Sequence, residues 1–305
     1  MKILNFGSIN IDYVYSVQHI AREGETISSN CLNVFSGGKG FNQSIAISRA
    51  GHPIYHAGFI GEDGIFLKEK LRESGVNVEF VDVVNVDRTG NAIIQKDDYG
   101  RNCILLYPGA NRKITQDKID SVLHFFCSGD FLILQNEISE LSYLMQKAHK
   151  KEMQIVLNPS PLDDTVLACP LEYVKYFIVN EIEGYGLLGL DRDEEISHEE
   201  LLQRLANKYP QSVIILTVGE KGSYLAENGT IYQQESYKVH AVDTTAAGDT
   251  FTGYFIAGIA NGMPIYDVMQ NAAKASAIAV SRMGAEPSIP RFEELGEIEN
   301  CSVNA

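Results

Sequence analysis

Short apolar runs recur along this chain, separated by stretches of helical spacing. The runs are Ile3–Phe6, Ile54–Ile60, Phe131–Leu134, Ile155–Leu157, Tyr176–Val179 and Val213–Leu216. Each reads as a strand buried on both faces. Between several of them, Gly40–Arg49, Phe66–Ser74, Leu141–Lys150 and Leu201–Tyr209 carry apolar residues at helical intervals. Alternation of this kind predicts an α/β fold: a three-layer sandwich with a mostly parallel central sheet and helices on both faces. Ligands of such sheets bind at the carboxyl ends of the strands. Polar residues just after an apolar run are therefore the first place to look for chemistry.

Two regions depart from the alternation. Residues 11–36 hold Ile11–Val17 and then Glu25–Phe35, rich in β-branched and aromatic residues, and residues 90–107 read as a hairpin turning at Asp97-Asp98-Tyr99-Gly100. They predict a small β-sheet projecting from the main body, serving as a lid, a dimer surface or both. No internal repeat, low-complexity segment or linker divides the chain, so residues 1–305 are expected to form a single domain.

The formal charge of −15 repels nucleic acid and anionic membranes, and no Lys/Arg cluster offsets it. An anionic substrate would need local donors or a metal ion to hold it against that field. The 5 cysteines, Cys31, Cys103, Cys127, Cys169 and Cys301, are scattered without a Cys-x-x-Cys pair, which suits a reduced, cytoplasmic protein. No apolar run approaches the roughly 18 residues of a membrane span, and the N-terminal segment is too short and polar for a signal peptide.

Chemistry concentrates in Asp243-Thr244-Thr245-Ala246-Ala247-Gly248-Asp249, ahead of the helix-like run Thr250–Gly258. Small side chains leave the amides of 246–249 open at the positive end of a helix. The result is an anion site with a carboxylate beside it. Asp249 can take a proton from an attacking hydroxyl while a phosphoryl group sits on the amides; taken alone, it can also merely complement a helix dipole.

A second glycine cluster, Ser36-Gly37-Gly38-Lys39-Gly40-Phe41-Asn42-Gln43, leads into a helix at Ser44–Ala50. Its glycines allow close approach to a ligand, and the Asn42 carboxamide suits a hydroxylated one. The spacing is not that of a Walker A loop. Asn10 and Asp12, an i, i+2 pair near the first strand, share a face and can grip a vicinal diol. Glu137 follows the strand at Phe131–Leu134.

Asn180 and Glu183 follow the strand at Tyr176–Val179, where both can reach a hydrated Mg²⁺ or simply cap a helix. Thr217-Val218-Gly219-Glu220-Lys221-Gly222 forms a polar turn after the strand at Val213–Leu216, suited to a nucleotide base or ribose. Gly184-Tyr185-Gly186-Leu187-Leu188-Gly189 matches Gly-x-Gly-x-x-Gly. It does not follow its strand at once, as a dinucleotide turn does, and reads as a helix end.

Together these residues resemble the ribokinase branch of the PfkB sugar-kinase family, essentially end to end, from Asn10-Ile11-Asp12 to Gly284-Ala285-Glu286-Pro287-Ser288. The resemblance implies a ribokinase-like fold and ATP-dependent phosphorylation of the primary hydroxyl of a pentose, D-ribose first. It makes Asp249 the catalytic base and the amides of Ala246, Ala247 and Gly248 the anion hole. Asn10, Asp12, Gly38, Lys39, Asn42 and Glu137 become sugar contacts. Asn180, Thr217, Gly219, Lys221, Gly222 and Gly248 become nucleotide contacts, with Glu183 on Mg²⁺ through water. Asp243, Thr245, Ala279, Arg282, Gly284 and Ser288 match a ring for K⁺, with Arg282 offering its carbonyl rather than its guanidinium. A homodimer through the lid sheet is the expected assembly. Phe41 departs from the pattern, since ribokinases commonly carry a small residue there. A ring facing the sugar would reshape the pocket, whereas a ring in the core would change nothing. A kinase for another sugar, a sugar acid or a nucleoside is the near alternative, and a non-catalytic sugar-binding or regulatory protein the distant one.

Overall fold

The computed structural model describes residues 1–191 and 194–298, so Cys301 lies outside the described residues. Numbered along the chain, the strands are β1 Ile3–Phe6, β2 Asn10–Val17, β3 Cys31–Gly37, β4 Ile54–Ile60, β5 Asn77–Val83, β6 Gly90–Asp97, β7 Asn102–Tyr107, β8 Phe131–Gln135, β9 Gln154–Asn158, β10 Val174–Asn180, β11 Val213–Thr217, β12 Ser223–Glu227 and β13 Thr230–Gln234. The α-helices are α1 Lys39–Arg49, α2 Ile65–Glu73, α3 Gln116–Leu123, α4 Leu141–Lys150, α5 Asp164–Leu167, α6 Glu181–Leu188, α7 His198–Lys208, α8 Ala247–Ala260 and α9 Ile265–Val280.

The expected central sheet is present, with 9 strands in the order β13-β12-β11-β10-β9-β8-β1-β4-β5. It is parallel from β5 to β11, and β12 and β13 add an antiparallel edge. Alternation along each strand sends successive side chains to opposite faces. Leu4, Leu132, Leu134, Leu157 and Leu216 enter one core with residues of α3, α4 and α7. Ile3, Ile133, Val156, Ile178 and Ile215 enter the other with residues of α1, α2, α8 and α9. Helices thus cover both faces, and the three-layer sandwich stands.

The chain leaves β1 towards β4 on one side and later returns to β8 on the other. That reversal opens a crevice at the carboxyl ends of the strands, where α/β sheets bind ligands. Two close approaches shape it. Gly38 precedes α1 at φ 94°, a left-handed value that a side chain would strain. Gly253 lets α8 lie against α1, for a Cβ there would stand 2.3 Å from that of Ala46. Phe41 is fully buried in the core beneath, so its ring does not reshape the sugar pocket. Its burial contributes about 3 kcal/mol.

The small sheet is also present, with 4 strands in the order β3-β2-β6-β7. The hairpin of β6 and β7 falls where the sequence places it. The partner of β2 is shorter than read, since residues 25–30 form no strand and pairing begins at Cys31. Leu32, Val34, Ile104, Leu105 and Leu106 on the outer strands are exposed. Strands β5, β12 and β13 were not anticipated, and α1 begins at Lys39, one residue ahead of the helical spacing read from Gly40 and well ahead of Ser44.

Candidate active site

The carboxyl ends of β8–β11 and the first turns of α1, α6 and α8 converge on one cleft. Asn158, Ser160, Asn180, Glu183, Thr217, Thr244, Ala246–Asp249 and the Lys39 side chain line its nucleotide half, an open cavity of about 200 Å³. Asn10, Asp12, Gly38, Asn42 and Glu137 gather at the other end, where β2 of the small sheet leaves the crevice.

Asp249 stands between the two halves and is 8% exposed. The Asn42 carboxamide donates to its Oδ2 at 3.0 Å and that of Gln43 to its Oδ1 at 2.9 Å. Both donors come from the first turn of α1, brought within reach by the α1–α8 packing. Asn42 keeps its Oδ1 buried without a hydrogen-bond partner among the described residues.

Ala246 precedes α8 in a left-handed conformation, φ 61°, which costs a non-glycine residue about 1–2 kcal/mol. Strain of this kind gathers at functional sites. The turn aims the first amides of α8 into the cleft. Those of Ala246 and Gly248 take no acceptor among the described residues, as expected of a helix start. The expectation of three open amides needs one correction: Ala247 donates to Thr244 O at 3.3 Å, the bond that closes the turn.

At the sugar end the charges crowd. Burial first, then Glu137 and Asp249, push the Asp12 carboxyl up to about 7. Burial raises Glu137 too, although Lys39 and hydrogen bonds from Ser8 Oγ and the Lys39 amide (3.1 Å) oppose it. Burial alone would lower the Lys39 ammonium, but Asp249, Glu137 and Glu183 outweigh it and hold the group above its usual range. Lys39 thus spans the cleft: its amide donates to Glu137, and the residue also lines the cavity with Glu183 and Asp249.

Asn180 and Glu183 form a reciprocal cap on α6, with Asn180 Oδ1 accepting from Glu183 N at 2.8 Å and Glu183 Oε2 from Asn180 N at 3.0 Å. Cap and cleft wall coincide, and burial raises the Glu183 carboxyl. Thr217 reaches the cavity. Gly219, Lys221 and Gly222 lie beyond it, in the turn after β11, with Lys221 exposed. The Gly-x-Gly-x-x-Gly stretch is α6 itself, ended by Gly189 at φ 68°, as its position after the strand required.

Of the residues expected to ring K⁺, Asp243, Thr245 and Gly284 are joined by hydrogen bonds. Asp243 Oδ1 accepts from the Thr245 amide and hydroxyl at 3.0 and 2.6 Å, and its Oδ2 from Gly284 N at 3.1 Å. The Ala279 carbonyl lies in the last turn of α9, and Ser288 in the 3₁₀ turn 286–288. Arg282 turns its guanidinium away, onto Glu294 at 2.6 Å, so its carbonyl is the group left for an ion. Carboxylate, hydroxyl and carbonyl oxygens at a helix C-terminus fit a hard cation.

Sequence reasoning missed Ser8, Gln43, Asn111, Asn158 and Ser160. Asn111 donates to Asn10 Oδ1 at 2.7 Å and fixes that carboxamide. Ser8, Asn158 and Ser160 carry the same signal as Glu137, a polar residue at or just after the end of an apolar strand.

Fold and cleft together define a phosphotransferase, a doubly wound α/β protein with an amide cradle and a carboxylate facing one cavity. Comparison with known proteins agrees. The pfkB family carbohydrate kinase profile matches residues 1–291, and the chain belongs to that family. A ribokinase of Schizosaccharomyces pombe is 34% identical over 100% of this chain and 99% of its own. Among solved structures, a Cryptococcus neoformans ribokinase in complex with ADP superposes with a TM-score of 0.85 at 33% identity, covering 97% of this chain and 98% of its own. An Arabidopsis thaliana ribokinase complexed with ribose and ATP superposes with a TM-score of 0.84 at 28% identity, covering 97% of each chain.

Proposed function

We propose that this chain transfers the γ-phosphoryl group of ATP to the primary hydroxyl of D-ribose, forming ribose 5-phosphate. The observation that carries this reading is the meeting, in one cleft, of an Asp249 carboxylate fixed through both oxygens with the unpaired amides of Ala246 and Gly248. Asp249 takes the hydroxyl proton, the alkoxide forms the new O–P bond, and the bond to the β–γ bridging oxygen breaks. Phosphoryl transfer requires mainly alignment and charge neutralisation. The amides and Lys39 meet the charge on the transferring group. Asn10, Asp12, Gly38, Asn42 and Glu137 hold the sugar, with the Lys39 main chain among them. Asn180, Thr217, Gly219, Lys221, Gly222 and Gly248 attend the nucleotide.

Glu183 would hold Mg²⁺ through water, and the ion would supply positive charge at the phosphates. Asp243, Thr245, Ala279, Arg282, Gly284 and Ser288 would hold K⁺ behind the amide turn. The chain acts as a single kinase unit in the cytoplasm, and the exposed apolar faces of β3 and β7 suit a homodimer through the lid.

The test is ADP release from ATP with D-ribose, 2-deoxyribose, sugar acids and ribonucleosides, the product assigned by ³¹P NMR. D-ribose should give the highest kcat/KM. A nucleoside or sugar acid ahead of it would move the substrate assignment. No acceptor-dependent ADP at all would leave the non-catalytic alternative.

A further inference from the structure

Beneath Asp249 lies a chain of buried carboxamides with a defined direction. Asn5, Gln43 and Gln135 are at most 1% exposed. Amide ends are ordinarily assigned from their surroundings, and here acceptor-only atoms at the ends of the network decide them. Asn5 Nδ2 donates to the Gly40 carbonyl at 2.8 Å, so Asn5 Oδ1 must face Gln135. Gln135 then presents its amide, donating to Asn5 Oδ1 at 3.1 Å and to Gln43 Oε1 at 2.6 Å. Asn158 Nδ2 donates to the Ile178 carbonyl at 2.9 Å, which turns Asn158 Oδ1 towards Gln43 at 3.2 Å. Both arms force Gln43 to direct its N–H groups at Asn158 and Asp249. Gln135 holds its orientation although its own Oε1 is buried without a partner.

We infer that Gln43 is a positioning residue for phosphoryl transfer, its amide end locked onto Asp249 by Gln135, Asn5 and Asn158. The inference rests on the reading of Asp249 as general base. A donor that cannot flip occupies a fixed lone pair of Oδ1 and leaves proton transfer to the remaining lone pairs of the carboxylate. It also fixes the plane of the carboxylate, from which the hydroxyl proton is taken. The charged groups facing Asp249 are Asp12 from β2, Lys39 from α1, Glu137 after β8 and Glu183 from α6. Substituting Gln43 or Gln135 leaves all four in place, so a changed pH profile reports the lost hydrogen bond.

The experiment compares Gln43→Leu and Gln135→Met with wild type, and each again in an Asp249→Asn background. It measures kcat against pH, the KM for ATP, and folding by circular dichroism. Gln43→Leu should lower kcat about 10-fold, the scale of one hydrogen bond to a charged group, and move the acid limb upwards. Gln135→Met, which frees Gln43 to turn over, should shift both in the same direction by about a third as much. The KM for ATP should stay within about twofold, and in the Asp249→Asn background neither substitution should add a further loss. Folded variants with wild-type kcat and acid limb, or equal losses with and without Asp249, overturn the lock. Should Gln43→Leu fail to fold, Gln135→Met decides alone on the same criteria. An Asp249→Asn enzyme with wild-type turnover would instead overturn the base assignment, and the lock with it.

Discussion

On the proposed reading, the two ends of the cleft meet their ligands by opposite means. The sugar end uses side chains, with Asp12, Glu137 and Asp249 crowded so closely that burial and mutual repulsion hold Asp12 near neutrality in its pKa. The phosphate end uses main chain, with the open amides of Ala246 and Gly248 aimed by a left-handed turn and flanked by small residues. The first arrangement is strained electrostatically until hydroxyl groups arrive, because Asp12 is buried beside Glu137 and Asp249 with no hydrogen-bond donor among the described residues. The second meets an anion with donors that already point at it and need little reorganisation. Specificity should therefore reside in the crowded carboxylates and rate in the cradle, with Asp249 belonging to both.

The largest effect should come from that shared residue. Asp249→Asn keeps the shape but removes the proton acceptor and sets an NH2 group against one of the two donors, Asn42 or Gln43, so kcat should fall about 10²–10⁴-fold. Binding of sugar and ATP, followed by calorimetry, should change only severalfold. Near-normal turnover would break the division of labour at its centre. Next in size is Asp12→Asn, which replaces a charged acceptor of two hydroxyl groups with a carboxamide. At about 1.5–3 kcal/mol for hydrogen bonds to a charged group, the sugar KM should rise about 10- to 100-fold. The KM for ATP should hold, and a matching rise in it would show that the two ends are not separate.

A smaller effect is expected behind the amide turn. Asp243 ties residue 245 to residue 284, so the oxygen ring and the turn share one framework. Exchanging K⁺ for a large organic cation should slow turnover severalfold with little change in the sugar KM. Equal rates in the two salts would remove the ring from the mechanism. A changed sugar KM would place its influence at the wrong end.

How much of this was legible in the sequence follows the same divide. Strands such as β4 and β11 are buried on both faces and announce themselves as apolar runs. Strand β5, Asn-Val-Glu-Phe-Val-Asp-Val, is an edge strand with partly exposed alternation and hides among polar residues. Asp249 was readable because its neighbours are uniformly small and stand at a helix start. Gln43 was not, since its role exists only through partners far away along the chain, Gln135, Asn158 and Asp249. The conformation of Ala246 and the bond that occupies the Ala247 amide were likewise invisible, because nothing in a run of small residues specifies which one turns left-handed.

The smallest effect is on stability, and its sign separates a strained site from a merely polar one. Asp12 titrates near 7 in the folded chain, against an ordinary value of 3.8. Between those values the folded state binds more protons than the unfolded, so stability falls as pH rises through that window and is flat above it. The ionised carboxylate is thus a burden on the free protein at pH 8. Asp12→Asn removes the burden, so this variant should melt higher than wild type at pH 8 by a few degrees, at about 2–4 °C per kcal/mol. The difference should vanish only well below the ordinary value of 3.8, where Asp12 is protonated in both states. Glu183 is raised by burial in both proteins and adds the same slope to each, so the difference between the two curves reports Asp12 together with its repulsion from Glu137. Saturating D-ribose at pH 8 should reverse the order, because its hydroxyl groups supply the wild-type carboxylate with the donors it lacks. A variant that melts lower than wild type at pH 8 without sugar would show that Asp12 is already satisfied by the protein, and the contrast between the two ends would lose its electrostatic basis.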